Sequence, residues 1–120
     1  MDGDDTGKLL EELFFSAKDD YHFTKISNSI KKAIAEIRNK IKGKVGDKAI
    51  IFDAGDDLLF TGNFALNELE SFQGIYNTLT SGLTCSIGYG KSLQEVYLAM
   101  KLAKSKPGKG VIIGAEYLKK

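Results

Sequence analysis

The chain has 120 residues, a net charge of +1 and one cysteine, and these values exclude several classes of protein. A chain of this length forms one domain with a single core, so we expect residues 1–120 to be one unit. A net charge near zero gives no bulk attraction to DNA or to a membrane surface. The single Cys85 excludes an internal disulfide and is typical of a reduced protein, so we expect a cytoplasmic location without direct membrane or DNA binding.

The chain opens with an acidic segment, residues 2–7, which is followed by a predicted amphipathic helix over residues 8–15. Thr6 is a suitable N-cap for this helix. Carboxylates at a helix N-terminus are stabilising in themselves, which is the structural interpretation of Asp2 and its neighbours. The free amides of the same helix start can also bind phosphate, which is the functional interpretation.

A long helix is predicted over residues 24–43, because isoleucines and alanines recur at helical spacing from Ile26 to Ile41. Gly43 is expected to end it, with lysines in the last turn. The connector before it, residues 18–23, contains the single histidine, His22, which we expect to face solvent rather than to bind a metal.

A β-hairpin is predicted next, with strands over residues 48–53 and 58–61 and a tight turn at residues 54–57. Asp56 and Asp57 are adjacent carboxylates at its tip, and like charges this close repel. A divalent cation would remove the repulsion, since carboxylates suit Mg²⁺. The alternative is a solvated turn, because Asp is common in turns.

The second half of the chain alternates helices and strands. We predict a helix over residues 65–80, a strand over 83–90, a helix over 92–105 with Ser92 and Glu95 as a capping box, and a strand over 110–114. This order favours an α/β (α+β) sandwich with an antiparallel, ferredoxin-like sheet and helices on one face.

Four short motifs in a fixed order then resemble a known family. They are similar to motifs of the minimal CRISPR polymerase (mCpol) family, which is related to GGDEF cyclases and to the palm domain of type III CRISPR polymerases. The likeness covers nearly the whole chain, and its motifs are Asp2-Gly3-Asp4 with Gly7, Gly55-Asp56-Asp57, the segment at residues 84–90, and the helix that ends in Ala103-Lys104.

This resemblance implies nucleotide polymerisation and cyclisation with Mg²⁺ (or Mn²⁺) as cofactor. Asp2 and Asp56 would bind the metals, Asp57 would orient that pair or bind a second ion, and the carbonyl of Gly3 would be a further ligand. Lys104 would contact phosphate. The remaining residues expected to bind the nucleotide are Asp5, Thr6, Gly7, Gly55 and Lys101.

The resemblance also implies the substrate and the partners. GGDEF cyclases recognise guanine with an Asn shortly after the first Asp motif, and residues 8–11 contain no Asn, so ATP is favoured. Cyclisation needs two nucleotides that face each other, so a homodimer is expected. Family members are thought to make cyclic nucleotide second messengers in anti-phage defence, and a downstream effector would bind the product.

Two positions depart from the family pattern. Ala54 stands where the family hairpin has a first glycine. The family also has an apolar strand before its first Asp, whereas only Met1 precedes Asp2 here. We therefore expect either that the natural chain begins upstream, so that its first strand is shortened here, or that the sheet is rearranged or completed by another copy.

Two other functions remain open from the sequence. One is nucleotide hydrolysis, as in the archaeal GTP cyclohydrolases that share this fold. The other is a module without catalysis, either a nucleotide sensor or an RNA-binding domain. An RNA-binding sheet exposes aromatic residues on its central strands, whereas we expect Phe52 and Phe60 to lie in the core.

Overall fold

A computed structural model describes residues 1–4, 11–12, 20–105 and 110–114 of the chain. Besides a short 3-10 helix at Asp47–Ala49, the structure has three α-helices and five strands within these residues. In chain order they are β1 (Asp2–Gly3), α1 (Asp20–Val45), β2 (Ile50–Ala54), β3 (Asp57–Phe60), α2 (Leu66–Leu79), β4 (Cys85–Tyr89), α3 (Leu93–Ser105) and β5 (Ile112–Gly114). Of the helix predicted over residues 8–15, Glu11 and Glu12 are helical, and the rest lies outside the described residues.

The five strands form one sheet in the order β2-β3-β1-β4-β5. The first four strands pair only antiparallel, with β1 between β3 and β4, which is the ferredoxin-like arrangement expected from the sequence. The α+β, palm-like fold is therefore confirmed. The sheet as a whole is mixed rather than antiparallel, because β5 follows α3 and pairs parallel to β4.

The helices cover both faces of the sheet, which differs from the predicted single face. Cys85 and Ile87 of β4 pack into the core with α1 and α2. Successive strand residues point to opposite faces, so Gly88 faces the other side, where a Cβ on it would lie 2.5 Å from the Met100 nitrogen of α3. Small residues make this second contact possible, since the buried residues Ala99 and Ala103 bring α3 close to β4 and β5.

The main core lies between α1, α2 and the sheet. The predicted apolar stripe of α1 is buried as expected, and it packs against Leu69, Phe72 and Tyr76 of α2. Full burial of one such isoleucine stabilises the fold by about 1.5–3 kcal/mol. The helix begins at Asp20, four residues before the predicted start, and His22 is exposed as predicted.

The single cysteine also lies in this core. Cys85 is a free, fully buried thiol, and burial raises its pKa to about 12, so it stays neutral. None of the helices in the described part of the chain is both long and apolar enough to cross a membrane.

The β2 strand at the sheet edge corrects one prediction. Phe52 is 53% exposed, as is its neighbour Ile51, whereas Phe52 was expected in the core. The pairing with β3 shifts register between Ile50 and Phe52, and such an irregularity disturbs the alternation of buried and exposed residues. Phe60 does pack against the core, edge-on to Phe64. The exposed Phe52 lies on an edge strand, not on a central strand where RNA-binding sheets carry their aromatics.

The first strand is short but central. Its two residues are preceded by Met1, whose side chain is buried in the core and whose backbone exchanges hydrogen bonds with Leu58. Past Met1 the strands on either side continue, and a groove of about 910 Å³ opens there, lined in part by Leu59, Phe60 and Tyr89. The central position of the sheet is thus filled from this chain.

Candidate metal and nucleotide site

The register of β1 brings the acidic opening of the chain to the hairpin tip. Asp2 lies directly opposite Asp57 of β3 on one side and Ser86 of β4 on the other. The Gly3 amide also donates to the Asp56 carbonyl at 3.3 Å. Since Met1 faces the core, Asp2 faces the side of the sheet that α3 covers.

Three carboxylates meet at this point. Asp2, Asp56 and Asp57 each offer an oxygen within 4.8 Å of the other two, and all three residues are half-buried. Two oxygens on opposite sides of one Mg²⁺ lie roughly 4.2 Å apart, twice the usual Mg–O distance of about 2.1 Å. The donor chemistry therefore fits a small, hard dication, and the 4.8 Å limit on the oxygen separations is roughly 0.6 Å above that span.

Repulsion within the cluster is visible in one pKa. A hydrogen bond with Asp2, partial burial and the charges of Asp2 and Asp56 raise the pKa of Asp57 to about 7, from an ordinary value of 3.8. Without a cation, the Asp57 carboxyl is therefore largely protonated below about pH 7. A bound dication would take the place of that proton.

The hairpin turn is tight. Ala54 pairs with Asp57 at the ends of the two strands, which leaves Gly55 and Asp56 as the two turn residues. Gly55 has a φ of +62°, a value that a residue without a Cβ adopts at no steric cost. Ala54, the departure from the family pattern, thus occupies the last strand position rather than the turn itself.

A fourth carboxylate, Asp4, is buried beside the cluster and is not part of it. Its Oδ1 accepts from Ser86 Oγ at 2.7 Å, and its Oδ2 accepts from Thr84 Oγ1 and the Gly110 amide, both at 2.8 Å. Burial alone would raise the pKa of Asp4, but the hydrogen bonds from Ser86, Lys104, Gly110 and Thr84 together hold it below its ordinary value. Asp4 is therefore an ionised, fully hydrogen-bonded carboxylate.

Lys104 reaches the site from α3. Its Nζ donates to the backbone carbonyls of Asp2 at 3.0 Å and Gly3 at 2.8 Å, and to Asp4 Oδ1 at 2.9 Å. Asp2 Oδ2 lies 3.4 Å from the same nitrogen. The ammonium thus lies beside Asp2, in contact with the backbone that carries this residue.

The family model of the minimal CRISPR polymerase domain (mCpol) matches residues 1–115. The chain belongs to this family. Searches of curated proteins and of solved structures found no significant match. The family description indicates a CRISPR-associated, nucleotidyltransferase-type domain, and the matched residues include all the elements that form the site.

The other residues expected to bind the nucleotide in this mCpol domain differ in position. Lys101 is exposed on α3, with its Nζ 5.8 Å from the centre of the Tyr97 ring. Gly55 lies in the turn beside Asp56. Asp5, Thr6 and Gly7 lie outside the described residues.

Asp4 is the residue of the mCpol site whose role the sequence did not reveal. Its position two residues after Asp2 is the one available signal, because residues i and i+2 of an extended segment share a face. Its hydrogen-bond partners lie 80 to 106 residues away in the chain, so no local sequence pattern predicts these contacts.

Proposed function

We propose that this mCpol domain is a nucleotidyltransferase that joins nucleoside triphosphates, with ATP favoured, into a cyclic di- or oligonucleotide with Mg²⁺ (or Mn²⁺) as cofactor. The observation that carries the proposal is the meeting of Asp2, Asp56 and Asp57 within 4.8 Å in a domain of a polymerase family. Surface carboxylates also cluster without a metal, but Asp2 and Asp57 lie opposite each other on neighbouring strands, and Asp56 lies in the turn next to them. All three belong to the motifs that resemble the family.

Each carboxylate has a role in this proposal. Asp2 and Asp56 hold the ion, and Asp57 orients that pair or holds a second ion. When bound, the metal supplies positive charge that stabilises the triphosphate oxygens and lowers the pKa of the attacking ribose hydroxyl. The hydroxyl would give its proton to solvent water and its oxygen would form a bond to the α-phosphorus. The bond from that phosphorus to the bridging oxygen would break, and pyrophosphate would leave with the electron pair.

The partners follow from the product. A ring of two or more nucleotides needs two bound nucleotides that face each other, so the active form is a homodimer. The cyclic product is a second messenger in anti-phage defence, and a downstream effector binds it. ATP is favoured over GTP because residues 8–11 lack the Asn with which GGDEF cyclases recognise guanine.

The test is an assay of purified protein with labelled nucleoside triphosphates and Mg²⁺. We expect pyrophosphate and a phosphodiester-linked product from the unaltered protein, and a loss of at least about a hundredfold in Asp56→Ala because a metal ligand is removed. Asp53→Ala is the matched control, since Asp53 is a carboxylate on the same hairpin that pairs with Arg38 at the surface. Such exposed pairs contribute little to stability, so this variant should keep its activity.

Other results would identify the alternatives. Turnover without a phosphodiester product would indicate a hydrolase, and nucleotide binding without turnover in calorimetry would indicate a sensor. Activity that survives Asp56→Ala would contradict the chemistry assigned to the cluster.

A further inference from the structure

We propose that Lys104 and Asp4 form a positioning pair, which holds the backbone of β1 in place so that Asp2 faces Asp56 and Asp57. In this proposal Lys104 acts through Asp2, before any nucleotide is bound. The inference rests on the proposed function, since it concerns the same metal site, and it gives Lys104 a role beyond the phosphate contact that the family resemblance implied.

The hydrogen bonds of Lys104 are the first support. A lysine ammonium has three protons to donate. Three acceptors lie within 3.0 Å of Nζ, namely the carbonyls of Asp2 and Gly3 and the Oδ1 of Asp4. In this arrangement each proton of the ammonium has an acceptor in the protein.

The partners of Asp4 are the second support. The side chain of Asp4 is only 3% exposed. Besides Lys104, it accepts from the hydroxyls of Thr84 and Ser86 at β4 and from the Gly110 amide that leads to β5. The carboxylate therefore joins the chain after β1 to β4, to the start of β5 and to α3, and it holds the ammonium in a fixed position.

The backbone that Lys104 contacts is the part of β1 that carries Asp2. Asp2–Gly3 forms the strand between β3 and β4. The two carbonyls that Lys104 binds flank the Gly3 nitrogen, so the ammonium restrains the peptide that immediately follows the Asp2 side chain. Outer contacts that orient a metal ligand typically change metal affinity by 10- to 100-fold when they are removed.

Electrostatics and positioning predict opposite results when Lys104 is removed. A cation 3.4 Å from Asp2 Oδ2 repels an incoming dication, so loss of its charge alone would strengthen metal binding. Loss of a positioning contact would weaken metal binding. The direction of the change therefore identifies the role.

The experiment measures Mn²⁺ affinity without nucleotide, by electron paramagnetic resonance of free Mn²⁺, in the full chain. We expect Lys104→Met to weaken Mn²⁺ binding by about tenfold or more. The matched control is Lys44→Met, which removes the same charge and breaks an ion pair of 2.6 Å with Glu68 between α1 and α2. It should leave the Mn²⁺ affinity unchanged.

A second variant keeps the charge and separates the roles further. Lys104→Arg carries a planar guanidinium that binds phosphate well but cannot reproduce the geometry of three acceptors around one nitrogen. A positioning role predicts weaker Mn²⁺ binding in Lys104→Arg as well, with circular dichroism confirming that the variant is folded. A role in phosphate binding alone predicts an Mn²⁺ affinity that is unchanged in Lys104→Arg and unchanged or higher in Lys104→Met. It also predicts a KM for ATP that rises in Lys104→Met and is restored in Lys104→Arg.

The outcomes distinguish this inference from the function on which it rests. If the unaltered protein binds no Mn²⁺, or binds it equally well as Asp56→Ala, the proposed metal site is wrong. If it binds Mn²⁺ through Asp56 but Lys104→Met and Lys104→Arg bind it equally well or more tightly, the positioning pair alone is wrong.

Discussion

At the scale of single residues, the site combines two kinds of carboxylate in different environments. Asp57 has like-charged neighbours in Asp2 and Asp56, and its pKa is raised to about 7. Asp4 has four hydrogen-bond donors, and its pKa is lowered. The two aspartates therefore differ in function. The negative charge of Asp57 lies beside those of Asp2 and Asp56, so a cation can bind there, whereas the charge of Asp4 is already balanced by hydrogen bonds from the protein.

The raised pKa of Asp57 predicts how stability depends on pH without metal. The folded state holds this proton up to about pH 7, whereas the unfolded chain releases it near 3.8. The contribution is therefore fully present below about pH 4 and is lost as the pH rises through about 7. After allowance for solvent screening we expect a loss of about 1 kcal/mol, or ~4 °C in Tm, between pH 5 and 8 in EDTA.

Thermal melts of Asp57→Asn provide the comparison for this prediction. The amide cannot ionise, so the variant should lack this part of the pH dependence and should be more stable than the unaltered protein at pH 8 in EDTA. Mg²⁺ should raise the Tm of the unaltered protein at pH 8 and have less effect on the variant. An equal fall in Tm between pH 5 and 8 in both proteins would show that ionisation of Asp57 does not cause the loss of stability.

At the scale of elements, the contact between β4 and α3 decides the geometry of the site, since α3 carries Lys104. The contact is close because Gly88 has no side chain and Ala99 has a small one. The start of α3 is also well defined, with Ser92 Oγ accepting from the Glu95 amide at 3.2 Å. The predicted capping box is only half formed, because the Glu95 carboxylate accepts from the amide of Lys91 instead of that of Ser92.

Gly88→Ala tests this contact. The new methyl would lie 2.5 Å from the Met100 backbone nitrogen, which cannot move without α3. We expect a loss of about 1–3 kcal/mol of unfolding free energy in urea. Because Lys104 lies on α3, a displacement of this helix would also move Lys104, and Mn²⁺ binding should weaken as well.

Gly74→Ala is the matched control for Gly88→Ala. Gly74 lies within α2, and a Cβ on it would meet no atom within 4 Å. This variant should gain about 0.5–1 kcal/mol through its better helix propensity. Equal effects of the two substitutions would contradict the close packing of α3 on β4.

At the scale of the whole molecule, the ferredoxin-like core and the final helix and strand were predictable, whereas the face that α3 covers and the parallel pairing of β5 with β4 were not. The pattern of helices and strands, the apolar stripe of α1 and the hairpin turn around Gly55 all follow from signals within a few residues, although the turn was predicted over residues 54–57 and spans only Gly55 and Asp56. The side of the sheet on which α3 packs depends on small residues in two separate elements, Gly88 and Ala99, which carry no periodic signal of their own. The site was predictable to the extent that family motifs marked Asp2, Asp56 and Asp57.

The proposed homodimer also belongs to this scale. If cyclisation requires two copies that face each other, the rate of product formation per mole of protein should rise with protein concentration and level off once the dimer is complete. Analytical ultracentrifugation over the same concentrations should show the change from monomer to dimer. A constant specific activity from a protein that remains monomeric would contradict the dimer.

The sequence by itself determined the helices, the hairpin and the acidic residues at its tip, because helical periodicity and turn chemistry act between residues that are close in the chain. Only the tertiary structure decided that Asp2 lies opposite Asp57, and that Lys104 and Asp4 meet across 100 residues. The physical reason is that these contacts depend on strand order and on which face each helix covers. Those properties arise from packing of the whole chain, so no short stretch of the sequence predicts them.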